Sequence, residues 1–424
     1  MNYTKEIEHY FDRLWPICRS ITGNGLRESL QIVNEIIPLT IHEVQSGTQV
    51  FDWVVPEEWN IRDAYIIDPN GRKICDFNVH NLHVVNYSVP VHAKMTYNEL
   101  LPHLHFVESQ PDAIPYITSY YKKTWGFCLT KNEFATLPKE GEYEIFIDST
   151  LEPGSMSYGE CVLPGESDEE ILFSTYLCHP SMANNELSGP LATAFIYKSI
   201  LEKIPNRRYT YRFLFIPETI GAIAFLHRSG QHLKEKLVAG FVMTCCGDRG
   251  DITYKLSKRK DSRGDRAAQH ILNQEIKHTV IPFSVGGSDE RQFCSPGFNL
   301  PVGSIIRTPY QHYKEYHTSL DNKNFISFEH LQHTIDVSVQ IVEALEMNEV
   351  YTNSIPYCEP QLGKRGLYPS SASPEFNRVA LHRLLHFLSF ADGNTDLIEI
   401  AEKRGDSVLD YQTIISQCKE AKLI

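Results

Sequence analysis

The run Leu172-Phe173-Ser174-Thr175-Tyr176-Leu177 leads without interruption into Cys178-His179-Pro180. A polar turn, Ser181-Met182-Ala183-Asn184-Asn185-Glu186, follows before Leu187-Ser188-Gly189 opens a small-residue helix start. A continuous apolar run of this length reads as a strand buried on both faces. A lone His at its end then stands at the carboxyl edge of a sheet, where open α/β folds keep their active sites. The segment predicts chemistry at His179, yet its turn carries amides where a metal site would want carboxylates.

The flanking pattern gives the fold class. From Tyr143 to about residue 345, strand-like segments (Ile171 to Leu177, Tyr211 to Ile216, Val238 to Thr244, Val302 to Arg307) alternate with helix-like ones (Gly189 to Leu201, Leu331 to Leu345). This alternation predicts an α/β fold with a mainly parallel sheet and helices on both faces. Residues 5 to 37 read as two amphipathic helices, Ile7 to Trp15 and Leu26 to Ile37, split at Gly23-Asn24-Gly25. Between 40 and 150 the period becomes that of strands, at Thr48 to Val55, Ala64 to Asp68 and Asn81 to Val89, with turn formers such as Pro69-Asn70-Gly71 between them. The expected division is a catalytic domain from 1–60 and 145–350, an inserted β-rich domain over 60–145, and a module over 355–424. A linker rich in Pro and Gly, Ser354 to Pro374, precedes the last of these. Within it, Val379 to Leu388, Asp396 to Arg404 capped by Thr395, and a segment opened by Ser407 predict three helices, a winged-helix-like arrangement.

Charge and composition narrow the function. The chain has 424 residues and a net charge of -13, which disfavours nucleic acid as a partner. The last 51 residues, 374–424, hold six Lys and Arg against eight Asp and Glu, so their three helices are expected to pack on the chain itself or on a protein partner rather than on DNA. No apolar run reaches the roughly 20 residues of a membrane span. The first residues lack a basic region followed by an apolar core, and the ten cysteines are scattered, so a cytoplasmic protein is expected.

Four segments each place an ionisable residue just beyond an apolar strand: His179 with Asn185 and Glu186; Pro217-Glu218-Thr219-Ile220-Gly221; Ser288-Asp289-Glu290-Arg291-Gln292-Phe293; and Tyr316-His317-Thr318-Ser319-Leu320-Asp321. Singly, each has a plain structural reading, as a hydrogen-bonded His or as a helix cap. Jointly, two imidazoles and a carboxylate are what zinc takes, and a free Glu is what its water needs as a base.

The order of these segments resembles the zinc aminopeptidase superfamily that includes bacterial leucyl aminopeptidases and glutaminyl cyclases. There a strand-end His precedes an Ala-Asn-Asp-Asn-Ala-Ser-Gly-like turn; here the turn is Ala183-Asn184-Asn185-Glu186-Leu187-Ser188-Gly189. The whole chain is similar to a bacterial group of aminopeptidase-like proteins with an inserted β domain and a winged-helix tail, associated by context with surface-polysaccharide genes. The resemblance implies His179 and His317 as zinc ligands and Glu218 as the general base. It also marks departures. Asn185 stands for the aspartate that bridges two metals, Thr219 and Thr244 stand for further carboxylates, and Ser181 stands for the Asp that orients the first His.

Without those carboxylates one zinc is expected rather than two. Glu186 is the expected third ligand, with Asp248 a weaker candidate, while Asn185, Asp289, Arg291, Arg307 and Tyr316 are expected to bind substrate. Tyr310, His312, Tyr313 and Tyr316 would wall the cleft or fill the core. The leading expectation is a zinc-dependent hydrolase of peptide or amide bonds acting on a small-molecule or peptide substrate. The alternative is a catalytically degenerate binding or assembly protein linked to surface-polysaccharide biosynthesis, with the C-terminal module as the contact for a protein partner or a second copy.

Overall fold

The computed structural model describes residues 2–274, 276–368 and 378–424. Its centre is an eight-stranded sheet in the order Thr40–Gln45, Ser155–Leu163, Thr210–Ile216, Glu170–Tyr176, Leu237–Met243, Val302–Ile306, Ile252–Lys255 and His278–Ile281. The four strands from Thr210–Ile216 to Val302–Ile306 run parallel to one another. Antiparallel neighbours close both sides of this parallel core.

Burial explains the unbroken apolar run. Ile171 and Phe173 face a layer built from Thr4–Leu14, Asn24–Val33, Ser188–Lys203, Arg263–Leu272 and Phe328–Met347, whereas Leu172 faces Ile220–Lys236 on the other side. With helices on both faces, no position of the strand can be polar for solvent's sake. The mainly parallel α/β class expected from the alternation is the architecture observed.

The inserted segment carries its own antiparallel sheet, ordered Lys73–Ile74, Glu58–Ile67, Glu142–Glu152, Val91–Thr96. Ile66, Tyr143, Ile145 and Ile147 pack under it against Leu100 and Phe127. Asp68 holds the Pro69-Asn70-Gly71 turn by accepting from the backbone N–H groups of Asn70 and Arg72, both at 2.9 Å. Two strand expectations here need correction. Thr48 to Val55 is a small hairpin, Gln49–Val50 with Trp53–Val54, turned at Phe51 with φ 52°. Asn81 to Val89 is not a strand but a 3-10 turn, Asn81–His83, followed by loop. The His80 ring accepts from Leu82 N–H at 3.1 Å and Ser88 Oγ donates to Val85 C=O at 2.6 Å, local bonds that compete with a ladder.

The tail forms three helical segments, Arg378–Phe390, Leu397–Glu402 and Val408–Tyr411 continuing into Gln412–Glu420, with a two-stranded wing, Val350–Thr352 against Asp392–Asp396. The middle helix is capped by Asp396, whose carboxylate accepts from Glu399 N–H at 2.9 Å; Thr395 lies in the wing strand instead. The linker is described as far as residue 368, and its remainder lies outside the described residues. The module is docked on its own chain: Arg266 grips Asp396 at 2.6 and 3.0 Å, and His270 Nε2 accepts from Val408 N–H at 2.9 Å. Leu384, Phe387, Ile398 and Tyr411 join the same apolar core as Ile335 and Val339 of the long helix. No helix among the described residues is long and apolar enough to cross a membrane.

Candidate active site

Beyond Tyr176 the strand reaches Cys178 and His179, then reverses through Ser181, whose φ is 50°. One π-helical turn, Ala183–Leu187, runs directly into the helix Ser188–Lys203. Such turns are rare and occur frequently at functional sites. Asp321 pins this one, accepting from Asn184 N–H at 2.7 Å and Asn185 N–H at 2.9 Å. Burial raises the Asp321 carboxyl to about 7, against the opposing pull of those backbone donors. Gly189 allows the helix to touch the next strand: a Cβ there would lie 2.4 Å from Met243 O and 2.6 Å from Thr175 Oγ1.

The turn aims Glu186 at one edge of the His179 ring and leaves the other edge facing the cleft. Glu186 Oε2 is 3.0 Å from His179 Nδ1, whereas Glu218 Oε2 is 3.7 Å from Nε2. Burial works against the His179 imidazolium, but Glu186 and then Glu218 outweigh it and raise its pKa. Glu186 has no exposed side-chain surface, and its other oxygen is 3.8 Å from Nε of the equally buried Arg19. Cys178 Sγ, a His179 ring nitrogen and a Glu186 oxygen lie within 4.8 Å of one another, a grouping of ligand-type atoms. Buried Arg19 brings a positive charge near this group, and burial holds the Cys178 thiol above its usual range. Glu186, expected as a third ligand, thus lies at Nδ1 of His179, on the edge of the ring opposite Glu218.

Glu218 follows the strand Thr210–Ile216 and sits before a strained link. Thr219 has φ 64° and ψ -73°, and Ile220 N–H bonds back to Glu218 C=O at 2.8 Å, a γ-turn of the rarer hand. A β-branched residue in this region is an outlier, of the kind that clusters at active sites. Ser288 Oγ donates to Glu218 Oε1 at 2.8 Å, and Asp289 accepts from Thr219 N–H at 2.7 Å. Burial raises the Glu218 carboxyl, with His179 opposing. Burial and the nearby Glu218 raise Asp289 too.

His179, Glu218, Thr219, Arg291 and His317 line one cavity of about 380 Å³. The His179 and His317 ring centroids are 5.6 Å apart, and burial together with His179 holds His317 down at about 3, in its neutral form. Tyr316 stacks on the His317 ring at 4.0 Å. Much of the remaining wall comes from the inserted unit. Tyr116, Thr118, Tyr120 and Tyr121 line the cavity with Trp53. Tyr116 N–H donates to His317 C=O at 2.8 Å, and Ser319 N–H to Ile114 C=O at 2.9 Å, which ties that wall to the His317 loop. The sequence alone points to aromatic walls at Tyr310 to Tyr316 and not to these tyrosines, because the cluster Ile114-Pro115-Tyr116 carries no local signal of its long-range partner.

Other expected residues fall elsewhere. Arg307 is buried and donates to Gly250 C=O, His330 C=O and Thr334 Oγ1, so it braces the helix Phe328–Met347 and does not line the cavity. Asp248 is taken up by Asn184, Gly250 and Thr308. Asp289 lies behind Thr219 and is 1% exposed. Asn185 Nδ2 and Thr244 Oγ1 both meet the Tyr176 hydroxyl, at 3.0 and 2.7 Å. Where the resemblance would put carboxylates for a second metal, this chain has a neutral amide and hydroxyl network around Tyr176.

A family model described as "Domain of unknown function (DUF4910)" matches residues 8–348. The chain belongs to the DUF4910 family. A winged helix-turn-helix model matches residues 349–424, which accords with the docked tail. A Clostridium acetobutylicum protein named "Putative polysaccharide biosynthesis protein with aminopeptidase-like domain" is 47% identical over 401 residues, 94% of this chain and 91% of the relative. The crystal structure of a "putative peptidase" from the same organism superposes with a TM-score of 0.92 at 44% identity, covering 99% and 96% of the two chains. The zinc aminopeptidase from Bacillus subtilis superposes at 0.55 over 79% of this chain and 94% of its own, at 12% identity. The aminopeptidase from Aneurinibacillus does so at 0.52, over 81% and 93% of the chains at 11% identity. The DUF4910 part of the chain therefore has the zinc-aminopeptidase fold.

Proposed function

We propose that the protein is a hydrolase of amide bonds that uses one zinc ion, held from the cleft side by His179 Nε2 and His317. The observation that carries this reading is the His179 ring set between two carboxylates, Glu186 on Nδ1 at 3.0 Å and Glu218 beyond Nε2 at 3.7 Å. Negative charge on both edges of one buried imidazole favours a cation at Nε2, and the neutral His317 ring supplies a second lone pair. Asn185 Oδ1, buried without a hydrogen-bond partner, is one further neutral acceptor in the same turn. The Tyr176 network needs no second ion. Zinc, when bound, would polarise the carbonyl to be attacked and make water more acidic.

The chain's own groups do the rest. Ser288 occupies Glu218 Oε1 and leaves Oε2 free to accept a proton from water and return it to the leaving amine. A carboxyl raised by burial is suited to that exchange near neutral pH. Glu186 and Arg19 hold the His179 ring from behind, and Tyr116 packs on both histidines. The Clostridium relative is named for polysaccharide biosynthesis, and we take N-acyl amino sugars beside aminoacyl amides as the two substrate classes to test. The test is hydrolysis of both classes by chelator-treated protein with and without added zinc. Zinc-dependent turnover of one class is expected; none in either class, with zinc content below one per chain, would favour a binding protein on this fold.

A further inference from the structure

We infer that the cleft selects substrates bearing a carboxylate close to the scissile amide, and that Arg291 reads it; this rests on the amide-hydrolase reading of the same site. Three observations carry it. The first is a census of charge at the cavity. Of the acidic triplet partners expected near Arg291, Asp289 is buried behind Thr219 and Glu290 is buried in an ion pair with Lys255 at 2.7 Å. Glu218 is the acid among the described lining residues, and it faces His179 and Ser288. A substrate ammonium would find no carboxylate set aside for it.

The second is the state of Arg291 itself. It is half-buried on the cavity wall, and among the described residues it has no carboxylate within ion-pair distance. Its Nη2 donates to Thr219 Oγ1 at 3.1 Å, which fixes one edge of the guanidinium and leaves the remaining donors for a ligand. A planar fork held at one edge is suited to two parallel bonds to a carboxylate.

The third is the strained link. Thr219 stands at φ 64° between Glu218 and the helix Ile220–Lys236, and its backbone N–H is bound by Asp289. The same residue thus joins the proton acceptor to the anion reader, so a substrate that fills both has its amide placed at Glu218. At the cavity mouth Trp53 and Tyr121, each more than two-fifths exposed, meet edge to face at 5.7 Å and offer a surface for a ring.

Binding of matched pairs by calorimetry tests the assignment without requiring turnover. N-acetylphenylalanine against its amide represents a peptide-like source of the carboxylate; N-acetylmuramic acid against N-acetylglucosamine represents a sugar. Full-length Glu218→Gln protein, loaded with zinc, should bind the acidic member of one pair at least tenfold tighter. Arg291→Gln in that background should bring the two members within twofold by weakening the acid alone, and Arg291→Lys should restore part of the preference. Equal binding within both pairs, no binding of either acid, or a preference that survives Arg291→Gln would overturn the inference. Hydrolysis of neutral amides by wild type without an acid preference would leave the hydrolase reading intact and remove this one; an acid preference without turnover would do the reverse.

Discussion

Glu186 Oε2 lies 3.0 Å from His179 Nδ1, with neither side chain appreciably exposed, while Nε2 faces Glu218. A carboxylate in that position orients and enriches the basicity of a ligand without touching the ion. Glu186→Gln is therefore expected to weaken zinc binding about 10- to 100-fold. His179→Ala should abolish specific binding altogether. Competition with a chromophoric chelator distinguishes the two, and equal loss in both variants would return Glu186 to the ligand set.

Arg19 Nε lies 3.8 Å from Glu186 Oε1, and both side chains are fully buried. Removing one partner of a buried pair typically costs about 3–5 kcal/mol, because the other charge is stranded. Arg19→Met should lower stability to urea by about that amount, and Arg19→Met with Glu186→Gln should recover most of it. If the double variant is no more stable than Arg19→Met, the two residues do not share a charge balance.

The root of the inserted sheet is latched by a bidentate pair, Arg27 on both oxygens of Glu58 at 2.7 Å, with Ser155 N–H on the same carboxylate. Arg27 first, then Ser155 and Asn60, hold the Glu58 carboxyl down at about 2 although burial opposes them. A depressed carboxyl stabilises the fold above its unfolded pKa, and the contribution is lost as pH falls through the folded value. The melting temperature of wild type should exceed that of Glu58→Gln at pH 6, and the gap should shrink between about pH 4.5 and 2. A gap that stays constant to pH 3 contradicts the latch.

Gly189→Ala is expected to destabilise by about 1–3 kcal/mol through the clash with Met243 O and Thr175 Oγ1. Urea unfolding measures it. An unchanged midpoint would mean that the helix and the strand behind it are not in the close contact described.

Much of this was legible in the chain because it is encoded locally. The run from Ile171 to Tyr176 is buried at every position since it has a helix layer on each face, and His179 and Glu218 stand just past such strands, whereas Arg291 and His317 follow theirs after longer loops. What escaped reading depends on direction. Spacing placed Glu186 in the right turn, but a single π-helical turn decides which edge of His179 it meets. Arg307 follows a strand as a substrate-binding residue might, yet its side chain points into the helix Phe328–Met347. Tyr116 and Tyr120 reach the cleft through a pairing about 200 residues away in sequence, Pro115 with Thr318, which no local pattern announces.

The most direct test compares zinc-loaded wild type with Glu218→Gln on one N-acyl amide that wild type hydrolyses, with zinc content measured on the same samples. One ion per chain in both proteins and a rate at least about 100-fold lower in the variant are expected, since general base catalysis contributes on the order of 10²- to 10⁴-fold. Equal rates in the two proteins would contradict the placement of Glu218 as the group that takes the proton from water.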